Sequence, residues 1–126
     1  MTVEEGSNGA RRVLVVEDEL MIRMLLEDML TELGFTVAAE ASRFDDAVKA
    51  AKTADIDIAV LDVNLNGQTT GPVAEALAAR GTPFVVVTGY GAQGLPEAFR
   101  NRPTLKKPFQ LDGLKQILET ALANGG

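Results

Sequence analysis

Four short apolar runs, rich in β-branched residues, each stop at a polar residue, and this repeated punctuation constrains the fold more than any other feature of the chain. Val13–Val16 runs into Glu17 and Asp18, Ile58–Leu61 into Asp62, and Phe84–Val87 into Thr88. Thr104–Leu105 leads to Lys106, Lys107 and Pro108. Runs of this length, alternating with helical patterns, read as strands of a parallel sheet buried on both faces. Ligands of such sheets bind outside the carboxyl ends of the strands. Three acids, a hydroxyl and a lysine are thereby directed to one spot.

The periodicity between these runs supplies the remaining elements. The first strand is expected over Arg12–Glu17. A helix is expected over Glu19–Leu33, with Ile22, Leu25, Leu26, Met29, Leu30 and Leu33 on one stripe. Gly34 stands where a left-handed cap belongs. Phe35–Glu40 reads as a more amphipathic strand nearer an edge. Ser42 with Asp45 has the spacing of a capping box for a helix over Arg43–Thr53. Asp57–Leu61 is the third strand, and Asp62–Thr70 a loop with turn chemistry at Asn64, Asn66 and Gly67. A helix over Pro72–Arg80 stops at Gly81, and a strand follows over Pro83–Thr88. Glycines at 89, 91 and 94 disfavour helix nucleation and leave a stub at Pro96–Asn101. Thr104–Lys106 is a short last strand, and Leu111–Leu122 a closing amphipathic helix. Residues 1–11 and 124–126 read as flexible tails around one domain over 12–123.

Composition narrows the chemistry. At 126 residues the chain has the length of one domain and buries roughly 65–70% of its unfolded surface without staples. It holds no cysteine and no histidine, so thiol and imidazole chemistry are absent and any metal must take oxygen ligands. A net charge of −6 with no basic cluster argues against nucleic acid. No apolar stretch has the roughly 20 residues of a membrane helix, and the N-terminus lacks a signal-type segment. The expectation is a cytoplasmic protein with neither a membrane nor a nucleic-acid partner.

Glu17, Asp18 and Asp62 crowd three carboxylates together at the strand ends. Two such charges about 4 Å apart repel by about 4 kcal/mol at an effective dielectric of 20, which raised pKa values or a cation must relieve. Mg²⁺, held by carboxylates and waters, suits the donor set. The plainer reading, Glu17 and Asp18 merely favouring the start of the next helix, leaves the alignment of Asp62, Thr88 and Lys107 unexplained. Asp62 can act as a carboxylate nucleophile forming an aspartyl phosphate. Lys107 then offers a point charge and Thr88 a hydroxyl to the phosphoryl oxygens.

With VLVVEDE at 13–19, VLDVNL at 60–65, VVVTG at 85–89 and KPF at 107–109 in order, the chain resembles the receiver domain of bacterial two-component response regulators over about Arg11 to Ala123. The resemblance implies a flavodoxin-like (βα)5 doubly wound α/β fold, its five-stranded parallel sheet in the order 2-1-3-4-5, with a short or mobile fourth helix here. It implies Mg²⁺ held by Glu17, Asp18, Asp62 and the main-chain carbonyl of Asn64, and phosphorylation of Asp62. Thr88 matches the switch hydroxyl, and Lys107 the phosphoryl-contacting lysine, whose bond to Pro108 is typically cis. Lys106, not followed by proline, is expected at the surface. TPFVVVTGYG at 82–91 is similar to the signature of the "FAT GUY" response regulators, with Val86 and Val87 in place of Phe and Ala. Those are usually stand-alone receivers paired with histidine kinases of the HWE or HisKA2 type.

The departures from the family pattern carry their own expectations. The usual switch-aromatic position is Thr104, and Tyr90, the only tyrosine, is a candidate for that role or for packing on its loop. Asn64 and Tyr90 flank the route of attacking water, which Gly89 leaves open. Asn66 stands where the family often has proline. Phosphorylation is expected to order the 89–101 segment. Met21 and Met24, off the main stripe of the first helix, form either a partner surface or peripheral packing. The resulting reading is a phosphoacceptor rather than a separate enzyme. It takes a phosphoryl group from a sensor histidine kinase and acts through a downstream protein, a phosphotransfer protein or phosphate drainage. It is a monomer, with dimerisation on activation left open, and no helix-turn-helix or catalytic output domain is expected. A haloacid-dehalogenase-type phosphatase would want an acid at Asn64. A flavodoxin-like FMN carrier would want a phosphate loop where Glu17–Asp18–Glu19 repel phosphate. A receiver working without phosphorylation would have no use for the full set of acids, threonine and lysine.

Overall fold

The computed structural model describes residues 10–89, 99 and 101–123. The strands are β1 (Arg12–Val16), β2 (Thr36–Ala41), β3 (Ile58–Asp62), β4 (Asn64–Leu65), β5 (Gln68–Thr69), β6 (Phe84–Thr88) and β7 (Thr104–Lys106). The helices are α1 (Leu20–Glu32), α2 (Phe44–Thr53), α3 (Gly71–Ala79) and α4 (Leu111–Ala123). Five strands form one sheet in the order β2-β1-β3-β6-β7, every neighbouring pair parallel. Without the small β4–β5 pair, that is the expected 2-1-3-4-5 order.

Alternation along the central strands divides the core into two layers. Val13, Val15, Ile58, Val60, Val85 and Val87 point to one face and pack with Leu26 and Leu30 of α1 and Leu114 and Leu118 of α4. Leu14, Val16, Ala59, Leu61, Phe84 and Val86 point to the other, against Ala47 and Ala51 of α2 and Val73 and Leu77 of α3. β3 and β6 are buried at every position, which is why their sequences are apolar throughout instead of alternating.

The glycine stops end their helices as expected. Gly34 has φ +93°, its N–H donates to the Thr31 carbonyl, and the Phe35 N–H donates to Leu30, a Schellman closure. Gly81, at φ +74°, closes α3 in the same way, with Gly81 donating to Ala78 and Thr82 to Leu77.

Three expectations need correction. No side chain caps α2: Arg43 is its N-cap residue, and Ser42 instead gives its main-chain carbonyl to the Asn66 side chain. The 62–70 loop contains a hairpin, β4 and β5 joined through Asn66 and Gly67 at φ +54° and +84°. Asn-Gly at two positive φ values is the favoured two-residue hairpin turn, but strands of two residues are too short to show alternation. Leu25 is not part of the packed stripe of α1, being 44% exposed. The fourth-helix stub, the ordering of 89–101 and Tyr90 fall outside the described residues, save Gly89, Phe99 and Asn101. So do the expected tails, except Ala10 and Arg11.

Candidate functional site

Parallel register delivers the polar residues to one edge of the sheet. Asp62 pairs with Val87 and Thr88 with Lys106, so the residues following each pair emerge side by side. The main chain continues that alignment beyond the strands: the N–H of Val63 donates to Val87, and the N–H of Lys107 to Thr88. Glu17, one residue past β1, donates its N–H to Ala41 at the end of β2. The side chains of Glu17 and Thr88 are buried, Asp62 nearly so, and Asp18 half-buried at the rim. Asp18, Asp62, Asn64, Gly89 and Lys107 line an open cleft of about 520 Å³.

Lys107 holds the carboxylates together. Its ammonium lies 3.0 Å from Asp62 Oδ2 and 3.3 Å from Glu17 Oε1. Burial pushes the ammonium's pKa down, but the hydrogen bond to Asp62 and the charges of Asp62 and Glu17 outweigh it, and the net shift is upward. Burial also raises the Glu17 carboxyl, the charge of Asp62 adds to it, and its pKa stands at about 7 despite the Glu19 N–H and Lys107. Oε2 of Glu17 accepts that Glu19 N–H at 3.1 Å. Oε1 is buried and, among the described residues, accepts no hydrogen bond, so the 3.3 Å approach of Lys107 is an ion pair.

Oxygens from Glu17, Asp18 and Asp62 lie within 4.8 Å of one another. A hard, all-oxygen donor set with a buried carboxylate oxygen lacking a hydrogen bond suits a hard divalent cation such as Mg²⁺. Asn64 abuts Asp62 through its main chain, donating its N–H to Oδ1 at 3.3 Å. The Lys107–Pro108 peptide is cis, and Lys106 is exposed. Thr104 is half-buried and its hydroxyl donates to the Arg102 carbonyl, so it is turned into its own loop. Gly89 is exposed at the cleft, where an added Cβ would meet nothing within 4 Å.

Two contributors were not foreseen. Thr70 is fully buried at the start of α3, and its hydroxyl is 2.5 Å from the Asp62 carbonyl and 3.0 Å from that of Val63. A threonine before a helix signals a cap, but this one caps nothing and holds the main chain of Asp62 instead. Arg23 of α1 donates to the Glu17 carbonyl at 3.2 Å and pairs with Glu40 at 3.5 Å, bracing the β1–α1 turn. A lone arginine on a helix gives no sequence signal of that role. Met21 and Met24 are 80% and 52% exposed, which rules out peripheral packing, and with Leu20 and Leu25 they form an apolar patch on α1.

A doubly wound sheet that gathers three carboxylates, a threonine and a lysine beyond its carboxyl edge defines a phosphoacceptor-type signalling domain. Residues 13–119 match the response regulator receiver domain, and the chain belongs to that family. It is 34% identical over 126 residues to the transcriptional regulatory protein PdtaR of Mycobacterium tuberculosis, covering 97% of this chain and 62% of that protein, so it spans under two thirds of that relative's length. The solution structure of SdrG from Sphingomonas melonis is 43% identical, with a TM-score of 0.80 over 90% of this chain and 97% of that one. The receiver domain of the sensor histidine kinase PA1611 from Pseudomonas aeruginosa, determined with a magnesium ion coordinated in the active site cleft, is 25% identical, with a TM-score of 0.79 over 91% and 99%. Receiver domains are signalling phosphoacceptors that bind Mg²⁺ at an acidic pocket and interact with histidine kinases and downstream partners. Among the described residues no helix is long and apolar enough to cross a membrane.

Proposed function

We propose that this receiver accepts a phosphoryl group from a histidine kinase on Asp62 and acts through proteins that read the changed surface, or by draining phosphate from a relay. The observation that carries the reading is the Lys107 ammonium held at 3.0 Å from Asp62 within a cluster of three carboxylates. In the transfer, an Asp62 carboxylate oxygen forms a bond to phosphorus as the N–P bond of phosphohistidine breaks in line, its electron pair staying with the imidazole. Lys107 offsets negative charge on one phosphoryl oxygen, and the Thr88 hydroxyl, two residues past the partner of Leu61, donates to another. Thr70 fixes the main chain from which Asp62 projects. Glu17, Asp18, Asp62 and the carbonyl of Asn64 would hold Mg²⁺, which when bound supplies positive charge to the phosphoryl oxygens.

The likeness to SdrG over nearly the whole of both chains, with the TGYG sequence at 88–91, supports a place among the FAT GUY receivers. A kinase of the HWE or HisKA2 type is the matching donor. Its docking face is the exposed Leu20, Met21, Met24 and Leu25 of α1, directly after the acid pair at the cleft.

Intact mass after incubation with acetyl phosphate and Mg²⁺ tests the chemistry. One phosphoryl gain in the wild type, absent in Asp62→Asn and abolished by EDTA, is the expected result. No gain, and no Mg²⁺-dependent binding of beryllofluoride either, would point to a receiver that works without phosphorylation.

A further inference from the structure

We propose that Asn66, standing where the family often has proline, is a positioning residue that aims the Asp18 carboxylate into the cation site; this rests on the Mg²⁺ reading given above. The main-chain N–H of Asn66 donates to Asp18 Oδ2 at 2.9 Å. Its side-chain Nδ2 donates to the carbonyl of Ser42 at 3.1 Å. One residue at the tip of the β4–β5 hairpin therefore ties together the loops that follow β1, β2 and β3.

The tip itself is well anchored. Leu65, immediately before it, is fully buried against the α2–α3 layer. Asn66 sits at φ +54°, a left-handed conformation that asparagine tolerates and proline cannot adopt. Proline would also remove the N–H that reaches Asp18. The backbone conformation and the donor are thus one linked requirement, which proline cannot meet.

Asp18 is the one member of the acid cluster whose side chain is not deeply buried, so packing does little to hold it. The Asn66 N–H takes one side of Oδ2 and leaves Oδ1 as the oxygen with the greater capacity for a cation. Mg²⁺ demands near-ideal octahedral geometry and is bound through one or two carboxylates with waters, which a single fixed carboxylate oxygen suits. Outer partners that orient ligating groups in this way typically change metal affinity by about 10–100-fold when removed.

Calorimetric titration of the full chain with Mg²⁺ tests the proposal, with melting temperatures measured alongside. Asn66→Gly keeps the N–H and the positive φ and loses only the Ser42 bond; its affinity should stay close to wild type. Asn66→Pro should bind roughly tenfold more weakly. Asp18→Ala should also bind weakly, and the Asp18→Ala/Asn66→Pro double variant should bind no more weakly than Asp18→Ala alone. Wild-type affinity in Asn66→Pro, or a further loss in the double variant, would overturn the positioning role. The Asn66 amide resonance gives a readout that needs neither the proline variant nor metal. In the metal-free protein it should move upfield in Asp18→Ala, and indifference to that change would overturn the hydrogen bond itself. If the wild type binds no Mg²⁺, the metal reading fails and takes the positioning role with it; that outcome differs from a wild type that binds and a proline variant that matches it.

Discussion

Replacing Glu17 with glutamine should stabilise the metal-free protein, and only at high pH. Glu17 is fully buried, and its carboxyl is raised from an ordinary 4.5 to about 7, first by burial and then by the charge of Asp62. A pKa raised in the folded state means that folding favours the protonated form. The stability it contributes is present below about pH 4.5 and is lost as pH rises through about 7. At about 1.4 kcal/mol for each tenfold in proton affinity, the ionised carboxyl costs the fold about 3 kcal/mol at pH 8. Glutamine is neutral throughout and can still accept the Glu19 N–H, which now reaches Oε2 at 3.1 Å. The attraction of Lys107 already lowers that cost, so it is not subtracted again. A gain of about 3 kcal/mol corresponds to roughly 12 °C for a domain of this size. Thermal melts followed by circular dichroism in EDTA should show Glu17→Gln above wild type at pH 8 and level with it or below at pH 5. Glu27, raised to about 7 by its hydrogen bond with Glu40, adds pH dependence to both proteins and drops out of the difference. Saturating Mg²⁺ should narrow the gap by stabilising the wild type. A melting temperature lowered by the same amount at both pH values would refute the reasoning.

Thr70→Val keeps the shape and removes the hydroxyl that meets the Asp62 carbonyl. It should cost about 1–3 kcal/mol in urea denaturation and slow phosphorylation by acetyl phosphate. Arg80→Ala should lower stability by about 1–3 kcal/mol by the same assay, because the guanidinium caps the end of α2 through the carbonyls of Ala51 and Ala54, both at 2.8 Å. Met21→Glu and Met24→Glu, on the exposed patch of α1, should leave stability within about 0.5 kcal/mol of wild type. In a radiolabel transfer assay they should impair phosphorylation by the kinase and spare phosphorylation by acetyl phosphate.

Glu17, Asp18, Asp62 and Thr88 were readable in the sequence because each closes or follows a strand buried on both faces, whose apolar run is unbroken and ends abruptly, whereas Lys107 follows the half-exposed β7. Asp62 and Thr88 close fully buried strands, and the parallel register does the rest. Gly34 and Gly81 were equally legible, since only a left-handed residue closes a helix in that way. The failures share a different physics. Ser42 has the spacing of a cap, but a cap is decided by where the carbonyl and hydroxyl face, and the Asn66 amide reaches that carbonyl. Leu25 has the period of the core stripe, but periodicity marks the centre of a stripe and not its rim. Thr70 was invisible because its partners are main-chain carbonyls, which every residue carries.

The lysine that meets Glu17 and Asp62 comes just after β7, an edge strand of three residues with, among the described residues, a single neighbour, β6. Edge segments of this kind open locally at a fraction of the free energy of global unfolding. Each opening of β7 would carry the ammonium away from two buried carboxyls, so electrostatic attraction acts as a latch on the thinnest part of the sheet. Charge placed in the cleft competes for that latch: the hydrogen-exchange protection of the Lys107 amide, which donates to Thr88, becomes a gauge of what the acids are holding.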